Sequence, residues 1–132
     1  MEFNIQAGTQ GQQTQTVSAA DTAVYFGSGL IEVYATPAMI ALMEKTAQLS
    51  IQPFLPEGFI SLGTEISASH IKPTLVGETV RCESILKSSE GNKMLFSIKV
   101  WNEKELIGEA IHRRYIVNAL KFMDKLVGED ED

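Results

Sequence analysis

The sequence predicts an α+β domain in which a curved antiparallel sheet of about five strands wraps around one long central helix. Two observations lead to this prediction. One run of helix-forming residues begins at Thr36 and ends before Pro53. Four later runs alternate between apolar and polar residues, as strands with one packed face do. A helix without a polar face needs cover, and a one-sided sheet can supply it.

The helix is the most sharply bounded element of the sequence. Thr36 is a favoured N-cap residue, and Pro37 suits the first helical position. Good helix formers continue to about Ser50, which predicts one helix of about 14 residues. Because 38–43 is apolar on every face, we expect other structure to wrap this helix rather than leave it on a surface.

The strands follow the helix. Between Leu62 and His70 the even-numbered residues are mostly apolar and the odd-numbered residues are polar or glycine. Similar runs lie at 80–87, 93–100 and 106–117, separated by polar breaks that suit hairpin turns. We therefore expect the last three strands to form an antiparallel meander, and a possible first strand near 14–18.

The 132 residues, 44 % of them hydrophobic, are enough for one globular domain with an ordinary core. We divide the chain into an N-terminal segment (1–13), a folded domain (14–118), and a short helical extension with an acidic tail (119–132). The N-terminal segment is rich in Gln and Gly, so we expect it to be loosely ordered or to form one edge segment.

Composition excludes several classes of function. A net charge of −6 argues against a nucleic-acid binder. The longest apolar run is far shorter than the roughly 20 residues that cross a bilayer, and no basic n-region or apolar h-region opens the chain. We therefore expect a cytoplasmic protein without a membrane partner. Cys82 is the only cysteine, and we interpret it as a packed strand residue rather than a reactive thiol.

Glu44 is the first residue that a purely structural interpretation leaves unexplained. It shares a helical stripe with Ile40, Ala47 and Ile51, where a carboxylate should find little water. Such a carboxylate could serve as a base or a nucleophile. Alternatively, it faces a solvated gap, or pairs with Lys45 or with a cation on a strand.

His70 and Thr36 are the other candidates. The strand alternation puts His70 on the face that should pack against the helix, pointing toward the region of Glu44. A histidine there could also be an ordinary core residue. Thr36 is explained by its N-cap position, although a hydroxyl at a helix N-terminus can also hold a water or an oxyanion. Thr36 and Glu44 are roughly 12 Å apart along the helix, so they could meet only through substrate, water or a second subunit.

His112 and Arg114 lie two residues apart on one strand face and could bind a phosphate or a carboxylate, or form a surface or interface ion pair. The sequence contains no GxSxG, Walker A or GxGxxG motif, and its two histidines lack a metal-type spacing with a third ligand. We expect no metal and no cofactor.

Several short segments together resemble a known family, the single-domain hotdog thioesterases similar to fluoroacetyl-coenzyme A thioesterase. The resemblance runs from about Thr16 to Val117. The matching segments occur in the family's order and are 21–29, 35–44, 62–64 with His70, 77–80 and 112–114.

The resemblance implies a hotdog fold, hydrolysis of an acyl-coenzyme A thioester, and a homodimer with active sites at its interface, while any further assembly stays open. It implies that Thr36, Glu44 and His70 form the catalytic set. Gly63 matches the family's glycine whose backbone N–H faces the thioester carbonyl, and His112 and Arg114 match residues near the active site.

The fluoroacetyl preference of the family depends on aromatic lid residues before the helix. This chain has Gly27, Gly29, Leu30 and Ile31 there, with Tyr25 and Phe26 nearby as candidate substrate-binding residues. A short-chain acyl-coenzyme A is therefore the expected substrate. The sequence leaves open whether Glu44 acts as base or nucleophile. Two alternatives are a non-catalytic acyl-coenzyme A sensor and, ranked last, a hotdog hydratase, because no Asp-x-x-x-x-His pair is present.

Overall fold

The computed structural model describes residues 3–128. This range contains five strands and three helices, with short 3₁₀ turns at Ala19–Asp21 and Gln52–Phe54. In chain order the elements are β1 (Gln10–Thr16), α1 (Ala23–Phe26), α2 (Thr36–Ile51), β2 (Phe59–His70), β3 (Thr79–Glu90), β4 (Lys93–Trp101), β5 (Leu106–Asn118) and α3 (Ala119–Val127).

The strands form one antiparallel sheet in the order β1-β3-β4-β5-β2, and α2 packs against it. The predicted α+β class and the meander of the last three strands are confirmed. Strand β2 lies at one edge of the sheet because it pairs only with β5, and β1 lies at the other edge. No helix in the described range of 3–128 is long and apolar enough to span a membrane.

The first strand begins earlier than the expected domain boundary. Residues 10–13, assigned from the sequence to the N-terminal segment, belong to β1 and pair with β3. Ile5 lies further upstream and is buried in the core. Backbone hydrogen bonds to β3 therefore hold this segment in a strand although its side chains are mostly polar. The acidic tail, 129–132, lies outside the described residues.

Helix α2 differs from the sequence prediction at its first residue. Ala35 is the N-cap, with extended backbone angles and no side-chain cap, and Thr36 is the first helical residue. The hydroxyl of Thr36 is therefore free of the capping role. The helix is also covered on one side only, because Met39, Met43 and Ala47 are fully buried while Ala41 and Lys45 are exposed.

A β-bulge changes the alternation of β2. Gly63 pairs with Arg114 and Glu65 pairs with Arg113, so Thr64 is an extra residue in the strand. The bulge reverses which face each residue points to, and the even-numbered face predicted from the sequence holds only from Ile66 onward. Before the bulge it is Ser61, not Leu62 or Thr64, that is buried.

Cys82 lies on β3 and is fully buried. Burial raises the pKa of its thiol to about 11, so little thiolate forms at neutral pH. This agrees with the interpretation of Cys82 as a packing residue.

Candidate active site

Thr36 and His70 meet where the start of α2 approaches the end of β2. The Thr36 Oγ1 atom lies 2.8 Å from His70 Nδ1, within hydrogen-bonding distance. The hydroxyl reaches the ring because Ala35, rather than Thr36, caps the helix. A hydroxyl held by a histidine at a helix N-terminus is a suitable arrangement for orienting a polar ligand.

The surroundings of His70 favour its neutral form. Burial lowers the pKa of the imidazole, an effect that the nearby backbone of Lys72 partly offsets. Tyr34 packs edge-on against the ring with centroids 6.3 Å apart, and its own hydroxyl donates to Gln15 Oε1. His70 Nε2 is buried and has no hydrogen bond of good geometry to any residue in 3–128. A buried polar atom of this kind calls for a partner from outside the chain.

A cavity of about 290 Å³ opens beside this pair. Its walls mix polar and apolar residues from the segment before α2, the end of β2 and the segment that follows: Ala23, Ser28, Val33, Tyr34, Ala35, Thr36, His70, Ile71, Lys72 and Pro73. Its volume is at the lower end of the range for small-molecule sites.

Glu44 lies two turns further along α2 and is half-buried. Its charge acts on His112 and Arg114, because its carboxylate raises the pKa of both groups against the larger opposing effect of burial. Of the partners considered from the sequence, a strand cation, Arg114, is the one on which the Glu44 charge acts, although the two side chains do not pair directly. Glu44 makes no ion pair or side-chain hydrogen bond within the described part of the chain.

His112 and Arg114 form a buried network rather than a surface ion pair, so that sequence interpretation is wrong. The Arg114 guanidinium donates from Nε to Ser61 Oγ at 2.7 Å and from Nη2 to the Ser61 carbonyl at 2.9 Å. Its Nη1 lies 3.1 Å from His112 Nε2, and His112 Nδ1 lies 2.9 Å from the Glu65 carbonyl. This geometry requires a neutral His112 protonated at Nδ1, since Nε2 must accept from the guanidinium. Burial, aided by the positive charge of Arg114, lowers the pKa of His112 and so favours this form.

Gly63 lies directly over this network at the bulge. A Cβ at this position would be 3.1 Å from His112 Cε1 and 3.4 Å from Arg114 Nη1. A side chain would therefore press on the imidazole, and glycine lets the exposed backbone of β2 lie close to a buried cation.

The sequence-predicted residues thus form two groups within one chain. Thr36 and His70 make the first group, and Glu44, Gly63, His112 and Arg114 make the second. His70 contacts Thr36 and not Glu44, because Glu44 lies roughly 12 Å from Thr36 along the helix. The expected convergence of His70 on Glu44 is not present within a single chain.

Tyr25 and Phe26 do not line the cavity beside Thr36. Both are exposed on α1, and Phe26 instead borders a separate hollow between β1 and α2. Ser61 and Tyr34 are the site residues that sequence reasoning missed. No sequence signal singled out Ser61, because only the bulge turns it inward.

Within the described part of the chain no group of three or more His, Cys, Asp or Glu side chains is arranged to hold a metal ion. The chemistry of the two groups is that of a carboxylate, a hydroxyl, an imidazole and a buried cation. These are the components that acyl-transfer sites use.

Comparison with known proteins agrees with this chemistry. The model of the family described as "FlK: Fluoroacetyl-CoA-specific thioesterase" matches residues 17–120. A fluoroacetyl-CoA thioesterase of Streptantibioticus cattleyicolor is 34 % identical over 95 residues, which cover 72 % of this chain and 68 % of that protein.

Solved structures show the same architecture. A variant of the fluoroacetyl-CoA thioesterase FlK in complex with acetyl-CoA superposes with a TM-score of 0.88 at 26 % identity, covering 96 % of this chain and 99 % of that one. A hypothetical protein of Thermus thermophilus, described as a thioesterase superfamily member, gives a TM-score of 0.87 at 28 % identity, covering 96 % and 94 %.

The fold is therefore the hotdog fold, and the protein is a thioester hydrolase whose substrates are acyl-CoA esters. More narrowly, the chain belongs to the fluoroacetyl-CoA-specific thioesterase family.

Replacing Ser61 tests the buried network. In Ser61→Ala the Nε of Arg114 loses its acceptor, and a buried charged donor without a partner should lower the free energy of unfolding by about 1–3 kcal/mol. Ser67→Ala, an exposed serine on the same strand, is the matched control and should stay within about 0.5 kcal/mol of wild type. Denaturant unfolding measures both, and equal stability of the two variants would show that Ser61 does not support Arg114.

Proposed function

We propose that the protein hydrolyses a short-chain acyl-CoA to the free acid and CoA, at two sites that each combine residues from two copies of the chain. Thr36 and His70 come from one protomer, and Glu44 and Gly63 come from its partner. The observation that carries the proposal is the separation of the two groups within one chain.

The spacing of the two groups suits a two-fold axis. Thr36 and Glu44 are placed symmetrically about Ile40 on α2. With Thr64 left out as the extra residue of the bulge, Gly63 and His70 are placed symmetrically about Ser67 on β2. A two-fold axis through these midpoints runs α2 and β2 antiparallel to their copies. His70 then lies opposite the partner's Gly63, and Thr36 lies beside the partner's Glu44.

The surface at these midpoints favours such contact. Strand β2 is a sheet edge twelve residues long, and an uncovered edge of this length is a template for pairing with another strand. Ile40, Ile66 and Ala68 are only partly buried by their own chain although they pack on the core. A second copy would cover all three and complete the cover of α2.

In the proposed reaction Glu44 removes a proton from a water molecule as the water oxygen attacks the thioester carbonyl. The Gly63 N–H donates to the developing oxyanion, and the charge of Arg114 beneath it supports that negative charge. The carbon–sulfur bond then breaks, and the proton held by Glu44 passes to the leaving thiolate. The products are the acid and CoA.

His70 is assigned an orienting role. Its lowered pKa keeps most imidazole neutral at neutral pH, so it is a poor resting acid for the leaving thiolate. We assign the tautomer in which Nδ1 accepts from the Thr36 hydroxyl and Nε2 carries the proton. The buried Nε2–H would then donate to substrate, to water or to the partner's Glu44.

The size of the cavity supports a short acyl group. The cavity holds only about 290 Å³, and Ala23, Val33, Ala35 and Pro73 give it a small apolar part next to the polar pair. Leu30 and Ile31 stand in the segment before α2 in place of aromatic residues, so a preference for fluoroacetyl-CoA is not expected.

Thiol release from acetyl, fluoroacetyl, branched short-chain, phenylacetyl and medium-chain CoA esters tests this function. Wild type should be fastest on the short esters, and Glu44→Gln should lose at least about 100-fold because a general base is removed. Thr36→Val should be impaired and Thr36→Ser should retain activity, since serine keeps the hydroxyl. The matched control is Glu57→Gln, which makes the same change at an exposed glutamate outside the site.

No release from any ester by wild type, with acyl-CoA still bound, would overturn the hydrolase proposal in favour of a sensor. Equal rates for the Glu44 and Glu57 variants would remove Glu44 from the mechanism.

A single turnover in ¹⁸O-water separates the two chemical roles of Glu44. If Glu44 is a base, the label enters only the released acid, and acid quenching traps no acyl adduct on the peptide that contains Glu44. If Glu44 attacks the carbonyl directly, an acyl-Glu44 adduct is trapped or the label enters its carboxylate. Mass spectrometry of that peptide and of the acid reads both outcomes, and the second would contradict the base mechanism.

A further inference from the structure

Helix α3 has an apolar face that its own chain does not cover. On a helical projection the apolar residues occupy one continuous arc of about 160° and the charged residues occupy the rest. The larger apolar side chains of this arc are all exposed: Leu120 77 %, Phe122 38 %, Met123 54 %, Leu126 66 % and Val127 62 %. Of the elements of the fold, α3 packs appreciably only against the strand that precedes it.

The start of α3 is fixed in position. Asn118 caps the helix by accepting a hydrogen bond from the Lys121 N–H, and the Ala119 N–H donates to the Gly58 carbonyl at 2.9 Å. Asn118 also pairs with Phe59, the first residue of β2. The helix is therefore tied to the beginning of the uncovered edge strand.

A second exposed apolar patch lies at the other end of β2, beside the cavity that Thr36 and His70 line. It joins the segment before α2 to the segment after β2, which are held together by a bridge between Val33 and Leu75 and a hydrogen bond from the Tyr34 N–H to the Thr74 carbonyl. Its members are Leu30 (96 % exposed), Ile31 (66 %), Ile71 (45 %), Leu75 (64 %) and Val76 (46 %). We call it the mouth patch.

We propose that α3 of one protomer docks on the mouth patch of its partner and closes the acyl cavity from outside. The inference rests on the two-fold arrangement of the proposed function. An axis that sets Gly63 opposite the partner's His70 also runs the start of β2, which begins at Phe59, toward the end of the partner's β2, where the mouth patch lies. The fixed start of α3, next to Phe59, therefore lies beside the partner's mouth patch.

The occupant is a second copy of this chain for two reasons. The docking surface continues directly from the β2 edge at which the copies pair, so no separate binding event is needed. The two-fold symmetry also repeats the contact, so one dimer covers both helices and both patches. Without this contact, α3 and the mouth patch would together leave ten large apolar side chains in water on each chain. Apolar exposure of this extent marks interaction surfaces.

Cross-linking between two variants that each carry one introduced cysteine tests this docking. Met123→Cys, at the centre of the apolar arc, is mixed with Leu75→Cys on a differently tagged chain, and a short bismaleimide is added. The native Cys82 is fully buried with its thiol pKa raised to about 11, so it should not react. A covalent heterodimer is expected, and it can form only between chains. Lys121→Cys mixed with Leu75→Cys is the matched control, because position 121 lies on the opposite side of α3, and should give several-fold less product.

A second measurement keeps the test independent of cross-linker reach. Phe122→Asp should raise KM for a short acyl-CoA several-fold while the dimer persists, whereas Lys121→Asp should leave KM unchanged. Suppose that wild type is dimeric and hydrolyses acyl-CoA, but that the Met123→Cys pair gives no more cross-linked product than the Lys121→Cys pair and Phe122→Asp leaves KM unchanged. The docking is then wrong and the proposed function stands. If wild type is a monomer, both proposals fall.

Discussion

The antiparallel pairing of β2 with β5 is the constraint on which the candidate site depends. Its bulge at Thr64 turns Ser61 and Gly63 toward the side chains of Arg114 and His112. Beyond the bulge the alternation is restored in the opposite phase, and His70 reaches Thr36 at the start of α2. Without the extra residue, the serine that holds the arginine and the histidine that holds the threonine could not both point inward.

Burial of the Arg114 charge is the energetically unfavourable part of this site. Arg114 is only 7 % exposed, and its hydrogen bonds go to a hydroxyl, a carbonyl and a neutral imidazole rather than to a carboxylate. Because these partners are neutral, they do not cancel the positive charge, and its electrostatic field acts on nearby groups. The backbone of Gly63 lies within that field, so the field would stabilise the oxyanion that the proposed reaction forms there. A purely structural arginine would be expected to have a paired carboxylate.

Much of the fold could be predicted from the sequence, because helix propensity and strand alternation are local. The central helix, the meander and the α+β class follow from residues 36–50 and from the alternating runs after Leu62. The N-cap and the phase of β2 could not be predicted, because both depend on tertiary contacts. The N-cap is Ala35, so the Thr36 hydroxyl is available to pair with His70. The bulge at Thr64 depends on the register with β5. Thr36, Glu44 and His70 could be singled out as candidates from the sequence, whereas Ser61 and Tyr34 could not. The grouping could not be predicted either, since His70 contacts Thr36 while the Glu44 charge acts on Arg114.

The central claim is that each site combines Thr36 and His70 of one chain with Glu44 of another, and subunit mixing tests it most directly. His70→Ala and Glu44→Ala chains, each inactive alone, are assembled together at equal amounts. About a quarter of the wild-type rate should return, since half of randomly assembled dimers are mixed and each has one intact site. Thr36→Val mixed with His70→Ala should recover nothing, because every site then carries a substitution. If mixed dimers of the first pair form but remain as inactive as the second pair, the shared site is contradicted.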